Sequence, residues 1–262
     1  MTTTSSSAKQ SDGTVLSGIK EHLRELRRRA FFAGLGIAAG IVVAWIFYEP
    51  LFQVLQEPML KISRDNDRLA ALNFAGVGAA FSSKLKISAF AGLMLSFPWW
   101  LYQVAAFVWP GLIRREKRIV VVLMVTALPL FFGGITLAWM FVPVSIEVLA
   151  GFAPDYTATM INAEVYFDFV LKMLFAFGLA FLLPLVIVGL TGMGIVASTT
   201  WLKGWRWAVL LSFLFAAMAS PSGDILTMTG LGLPIVALYF GAVGIGYWWE
   251  CRQIKNYEKS LA

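Results

Sequence analysis

Long apolar runs constrain this chain more than any other feature of its sequence. A helix needs about 20 apolar residues to cross a hydrocarbon layer roughly 30 Å thick, and six runs approach or reach that length. They cover residues 30–48, 87–109, 119–142, 166–190, 205–220 and 225–249. The runs do not alternate as barrel strands do, and a backbone in lipid must satisfy its own hydrogen bonds. The sequence therefore predicts an all-α integral membrane protein with six transmembrane helices.

The composition excludes several other classes of protein. Of the 262 residues, 59% are apolar and only 14% are charged, whereas about a quarter of the residues of a soluble domain are charged. That difference excludes an ordinary soluble enzyme. The single cysteine, Cys251, excludes an internal disulfide framework. The single histidine, His22, excludes a metal site built from several histidines.

The distribution of basic residues predicts the orientation of the chain. Most of the 21 Lys and Arg residues lie before the first run, between the second and third, between the fourth and fifth, or after the sixth. Short loops rich in Lys and Arg remain in the cytoplasm, so both termini are predicted to be cytoplasmic. The net charge of +6 then reflects topology, and we expect no nucleic-acid partner.

Four prolines are expected to shape the helix bundle. Pro98, Pro129, Pro184 and Pro234 each fall within a predicted span. A proline removes one helical hydrogen bond and bends the helix around it. Bends in four helices favour a cup-like, kinked bundle over a straight one.

The chain is predicted to hold one membrane domain, at residues 19–250. Residues 1–18 are rich in Ser, Thr and Gly and are predicted to form a disordered cytoplasmic tail, and residues 251–262 a cytoplasmic C-terminal tail. Gly36 and Gly40 are spaced for a close helix contact. Asp168 and Lys172 lie four residues apart, so they are predicted to form an ion pair on one helix face.

Catalytic motifs are missing from the sequence. No Gly-rich phosphate loop of the Walker A type, no His-Glu-x-x-His pair and no Gly-x-Ser-x-Gly nucleophile motif occurs. We therefore predict a protein that is not an enzyme, with no catalytic residue, no metal and no cofactor.

Two acidic residues stand among arginines beside the predicted spans. Glu25 lies before the first span and Glu116 between the second and third. One interpretation is a solvated anchor in which each acid neutralises its neighbours, with Glu25 and Arg29 forming a weak i,i+4 pair. The other is a binding site for a cationic ligand. Carboxylates match guanidinium groups as planar two-pronged partners and so favour arginine over lysine.

The motifs that contain these acids resemble those of the TatC family, the multispanning receptor subunits of the twin-arginine protein translocase. The pattern HLxELRxR covers residues 22–29, and the pattern PxxxYQxxxFxxPGL covers residues 98–112 and leads to Glu116. The resemblance extends over about residues 16–249. It implies a protein of the bacterial cytoplasmic membrane that exports folded proteins.

The resemblance also implies a binding site for the Arg-Arg motif of exported proteins. In the family this site is formed by the N-terminal segment and the first cytoplasmic loop. Here Glu25 and Glu116 would face the two arginines of the signal peptide. The residues implied to form or support the site are Glu25, Arg27, Gln103, Phe107, Leu112, Arg114, Glu116 and Arg118.

Further expectations concern partners and energy. Family members dock single-span TatA and TatB subunits beside the fifth and sixth spans, which implies contacts at Met218, Ser220, Pro221, Asp224 and Thr227. Pro58 is implied to belong to a functional outer loop. The resemblance also implies a homo-oligomer within a complex in the lipid bilayer, and transport driven by the proton-motive force.

The sequence departs from the family pattern at two places. A Glu or Gln usually precedes the proline of the fourth span by two residues, and Leu182 stands there instead. A polar residue usual near the start of the sixth span is replaced by Thr227 or Met228. These changes weaken the expectation of a polar TatA contact.

Two alternatives to the receptor hypothesis remain open. A secondary transporter for a small solute would need polar groups near the midplane of several helices, and this sequence nearly lacks them. A membrane scaffold without cargo would tolerate replacement of both Glu25 and Glu116.

Overall fold

The computed structural model describes residues 6–65, 71–150, 160–219 and 225–261. Helices dominate these residues, with two short strands between them. The elements are α1 (Ser6–Ile46), α2 (Tyr48–Asp65), β1 (Ala71–Asn73), α3 (Ala79–Leu95), α4 (Phe97–Val108), a 3₁₀ turn (Trp109–Gly111), α5 (Arg114–Ala150), β2 (Met160–Asn162), α6 (Ala163–Ala180), α7 (Leu183–Gly192), α8 (Ser198–Lys203), α9 (Trp205–Ala219) and α10 (Ile225–Leu261).

Several of these helices are long and apolar enough to cross a membrane. Among the described residues, four stretches qualify, at Lys20–Ile46, Arg114–Glu147, Ala163–Gly192 (α6 followed by α7) and Met228–Arg252. A fifth candidate is the pair α3 and α4, which meet at an angle of 53°. Helix α9 coincides with the predicted fifth run and is shorter, at 15 residues. The prediction of an all-α protein with several membrane spans is confirmed.

Two of the four prolines stand where a helix is interrupted. Pro98 lies in the first turn of α4 and Pro184 in the first turn of α7, each just after a break. A proline has no N–H to donate, so the carbonyl four residues earlier loses its helical partner. Pro129 and Pro234 lie inside uninterrupted helices.

Helix α1 begins earlier than its composition suggests. It starts at Ser6 and so includes residues that we predicted to be disordered. Two glycines, Gly13 and Gly18, and no proline occur in residues 6–18. A glycine costs a helix about 1 kcal/mol and a proline about 3, so this segment contains no strong helix breaker.

Helix α6 lies at the centre of the packing and contacts α3, α5 and α9. Most of its side chains are buried, and Phe167 and Phe177 are almost wholly enclosed. Phe97 of α4 stacks on Phe131 of α5 with ring centroids 3.8 Å apart, and both rings are fully buried. This aromatic core holds the bent α3–α4 pair against α5.

Glycines allow α1 to lie directly against α3. A Cβ placed on Gly40 would lie 2.6 Å from the carbonyl oxygen of Gly92, and a Cβ on Gly92 would lie 2.4 Å from the backbone nitrogen of Ile41. One turn earlier, Gly36 leaves room for the indole ring of Trp99. The close contact predicted from the Gly36–Gly40 spacing is therefore present, and it is the packing that small residues permit between membrane helices.

The segment after α1 folds back onto the core. Pro58 lies inside α2 and is buried, as are Leu55 and Met59 beside it. The hydroxyl of Tyr166 in α6 donates to the carbonyl oxygen of Leu55 over 2.7 Å. This bond fixes α2 to the start of α6.

Two short parallel strands join distant parts of the chain. In β1 and β2, Ala71 pairs with Met160 and Asn73 with Asn162. No strand is predicted at these positions, because three residues are too few for a visible alternation. The Asn162 side chain then caps α6 by accepting from the N–H of Glu164 over 2.9 Å.

The predicted ion pair on the fourth span is present. The Lys172 ammonium lies 2.5 Å from a carboxylate oxygen of Asp168. Both side chains are partly exposed, so the pair is worth only a few tenths of a kcal/mol, about 0.3–0.5.

Candidate functional site

The N-terminal part of α1 is docked against the end of α4. The ring of His22 packs on the ring of Phe107 with centroids 4.5 Å apart. Two turns further along α1, a guanidinium nitrogen of Arg29 donates to the side-chain oxygen of Gln103 over 3.4 Å. The two motifs recognised in the sequence are thus brought together by side-chain contacts.

Arg29 connects Glu25 to this junction. Its second terminal nitrogen lies 3.6 Å from a carboxylate oxygen of Glu25, four residues earlier on the same helix. The predicted Glu25–Arg29 pair is therefore present. Both side chains are about one third exposed, at 32% and 31%, whereas Gln103 is only 4% exposed. A buried amide thus orients an arginine, and the arginine in turn holds a carboxylate at the protein surface.

Glu116 is held in a different way. The 3₁₀ turn ends at Leu112, whose backbone is extended, and α5 begins at Arg114. A carboxylate oxygen of Glu116 accepts from the N–H of Ile113 over 3.0 Å. This is half of a capping box, in which a Glu in the first turn bonds the backbone that precedes the helix. The second oxygen of Glu116 has no bonding partner within the described part of the chain.

The basic residues of the predicted site surround these acids. Arg27, Arg114 and Arg118 are exposed, and none of the three forms an ion pair with Glu25 or Glu116 within the described residues. Arg114 and Arg118 are one turn apart on α5 and so share a helix face. The ammonium of Lys117 lies 5.5 Å above the ring of Trp109.

Glu25 and Glu116 are both half-buried but lie on separate segments. No bond among the described residues joins Glu116 to α1, so the two carboxylates are positioned by separate sets of contacts. Each retains an exposed face that can accept hydrogen bonds from a cationic group. Charge-assisted bonds of this kind are stronger than neutral ones.

Two features of the site were missed in the sequence. His22 begins the HLxELRxR motif but has no predicted contact, and its contact with Phe107 lies between positions 85 residues apart, which no local pattern reveals. The cap at Ile113 could have been found, since an acid three residues after a helix boundary is a capping signal. Across the described residues, no three His, Cys, Asp or Glu side chains form a group that could hold a metal ion.

The predicted partner contacts cannot be placed in the same way. Ser220, Pro221 and Asp224 lie outside the described residues. Met218 lies in α9 and Thr227 in α10, but the structure does not describe their side chains. Leu182 lies between α6 and α7, where it caps α7 and packs against the aromatic core.

Comparison with known proteins identifies the family. A family model described as Sec-independent protein translocase protein (TatC) matches residues 21–234. A TatC protein of Xylanimonas cellulosilytica is 43% identical over 89% of this chain and 85% of that protein. A TatC protein of Synechocystis is 34% identical over 86% of this chain and 85% of its own length. A chloroplast TATC protein of Pisum sativum is 32% identical over 85% of this chain and 62% of its own length.

The fold agrees with solved structures. A crystal structure of the twin-arginine translocase receptor TatC in the detergent DDM superposes with a TM-score of 0.78 at 28% identity. The match covers 86% of this chain and 99% of that structure. The sequence, the several membrane spans and the fold therefore agree, and the chain belongs to the TatC family of Sec-independent protein translocase components, which are transport proteins and not enzymes.

Proposed function

We propose that this chain is the signal-peptide receptor and core subunit of a twin-arginine translocase. Glu25 and Glu116 would accept the two guanidinium groups of an Arg-Arg signal peptide, one carboxylate for each. The observation that carries the proposal is the contact of Arg29 with Gln103, which holds Glu25 beside the α4–α5 segment that carries Glu116. A solvated anchor would not need a buried amide to orient it.

The surroundings favour arginine as the ligand. Exposed Arg27, Arg114 and Arg118 keep the surface positive, so the site attracts a cation only where a carboxylate is exposed. A guanidinium fork can bond a carboxylate with two parallel hydrogen bonds, and an ammonium cannot. The same arginines suit the phosphate groups of the membrane surface.

Six crossings with both ends in the cytoplasm are part of the proposal. The β1–β2 pair supports it, because paired strands lie on one side of the membrane, so α5 and the bent α3–α4 pair would each cross once. Glu250 near the end of the last span bonds Ser198 before α9. Since α10 crosses the membrane and returns to Ser198, α9 would cross as well.

The proposed complex includes single-span TatA and TatB subunits and further copies of this chain in the bacterial cytoplasmic membrane. Family membership supports a translocase complex. The proposed contact remains at Met218, Ser220, Pro221, Asp224 and Thr227, and Pro58 would support the outer surface. Transport would use the proton-motive force.

The test is binding of a twin-arginine signal peptide to the purified chain in nanodiscs. Glu25→Gln and Glu116→Gln each remove one charge-assisted bond, so each should weaken binding by about 1.5–3 kcal/mol, roughly ten- to hundredfold in Kd. A Lys-Lys peptide should bind the parent chain weakly and respond little to either change.

Glu147→Gln is the matched control, because Glu147 is an exposed acid at the far end of α5. It should leave the affinity unchanged. Equal binding of Arg-Arg and Lys-Lys peptides, or full affinity in the double variant of Glu25 and Glu116, would remove the receptor assignment and favour the scaffold.

A further inference from the structure

A lateral cavity lies between α7 and α9, far along the chain from the acids of the proposed receptor site. Its volume is about 760 Å³, which is within the range of small-molecule sites. Ile235 and Tyr239 of α10 form its buried floor. The walls are apolar side chains of α7 and α9 that are about half exposed or more, including Leu183, Val186 and Leu211.

The exposure of its walls shows that the cavity opens sideways. The flanking helices cross the membrane or are apolar along their length, so the opening faces hydrocarbon rather than water. Leu214 and Trp207 continue the apolar wall along α9. A slot of this kind is filled in a bilayer by an apolar chain, because water gains no hydrogen bonds there.

Trp201 forms the wall at the α8 end of the cavity. The hydroxyl of Tyr239 donates to the backbone carbonyl of Trp201 over 2.6 Å, which fixes this residue at the cavity. The indole nitrogen of Trp201 has no bonding partner within the described structure and exposes almost no surface, so it is not available to an occupant. Trp201 therefore contributes its apolar ring to the wall.

Cations lie at the same end of the cavity. Thr200, Trp201 and Gly204 line it, and Lys203 ends α8 directly before Gly204. Arg206 follows two residues later and is exposed, as is Lys203. The cavity is therefore apolar along α9 and positively charged just beyond its α8 end.

We propose that this cavity binds an anionic glycerophospholipid. One acyl chain lies between α7 and α9, and the phosphate lies beside Lys203 and Arg206. An apolar transmembrane helix of a partner fits less well, because it brings no anionic group to these two cations. The proposal depends on the chain lying in a membrane and not on the receptor function.

The experiment uses the full chain in nanodiscs that contain a trace of photoactivatable phosphatidylglycerol or phosphatidylcholine, each with a diazirine in one acyl chain. Crosslinked peptides are identified by mass spectrometry. Phosphatidylglycerol should label the segments 183–187 and 207–215 more strongly than phosphatidylcholine does. Each of Lys203→Gln and Arg206→Gln should reduce that labelling about fivefold.

One further variant is the control. Arg252 is a cation that stacks on Trp248 at 3.7 Å, and it lies 13 residues beyond Tyr239 in α10. Labelling of Arg252→Gln should equal that of the parent chain.

Several results would overturn the proposal. Equal labelling by the two lipids would show that the cavity does not select an anionic head group. Labelling spread over all helices would show that the cavity is not a specific lipid site. Displacement of the lipid by a synthetic single-span TatA-type helix, with no effect of the charge variants, would assign the cavity to a protein partner instead. Failure of signal-peptide binding would leave the lipid site standing.

Discussion

Adjacent glycines in α5 provide a matched test of the helix packing. A Cβ added to Gly134 would lie 2.6 Å from the carbonyl oxygen of Phe177 in α6 and 2.9 Å from the ring of Phe181. A Cβ added to Gly133, one residue earlier, would meet nothing within 4 Å. Gly133→Ala and Gly134→Ala therefore make the same chemical change in the same helix and differ only in what the new methyl group contacts.

The expected difference follows from these distances. Replacing a helix glycine by alanine stabilises the helix by about 0.5–1 kcal/mol, and this gain applies to both variants. At Gly134 the obstacle is a backbone carbonyl, so α5 and α6 must move apart by roughly 1 Å to reach ordinary contact. Overpacking of this kind costs about 1–3 kcal/mol. Gly134→Ala should thus be less stable than Gly133→Ala by about 1–3 kcal/mol.

The assay is thermal unfolding of both variants and the parent chain in one detergent, followed by tryptophan fluorescence. Gly133→Ala should unfold at or slightly above the parent temperature, and Gly134→Ala clearly below it. Equal transition temperatures for the two variants would refute the close contact between α5 and α6.

Two further changes test single bonds. Glu250→Gln replaces a carboxylate that accepts from both the N–H and the hydroxyl of Ser198. Because loss of a charged acceptor costs about 1.5–3 kcal/mol, amide hydrogen exchange at the start of α8 should accelerate at least tenfold, and unchanged exchange would contradict the contact. Tyr166→Phe removes the donor to Leu55 and should lower stability by about 1 kcal/mol. In the same unfolding assay Tyr102→Phe, at an exposed ring, should have no effect, and equal losses in the two tyrosine variants would argue against the bond.

The membrane spans could be predicted from the sequence because each run carries its own signal. The length of the apolar runs alone predicts the membrane spans in α1, α5 and α10. The i,i+4 spacing alone predicts the Asp168–Lys172 pair. Pro98 and Pro184 predict breaks because the loss of a backbone donor is a local effect. Pro129 shows the limit, since the helix around it continues.

The contacts that shape the candidate site could not be predicted in this way. The bond from Arg29 to Gln103 joins positions 74 residues apart, and its existence depends on how α1 lies against α4. The same holds for Trp99, whose indole donates to the carbonyl of Phe32 over 2.8 Å. Both acids were found by their motifs, and their bonding partners are local in sequence. The contacts that join the two motifs follow from tertiary packing alone.

The β1–β2 pair also sets an order for biogenesis. Its strands are about 90 residues apart in the chain, and closure of so long a loop is entropically costly. During synthesis, β1 emerges while α3, α4 and α5 are still to be made, so it waits unpaired until Asn162 has followed. Pairing therefore cannot form until the intervening helices have been synthesised, and it joins the end of α2 to the start of α6 only in a chain whose first half is already complete.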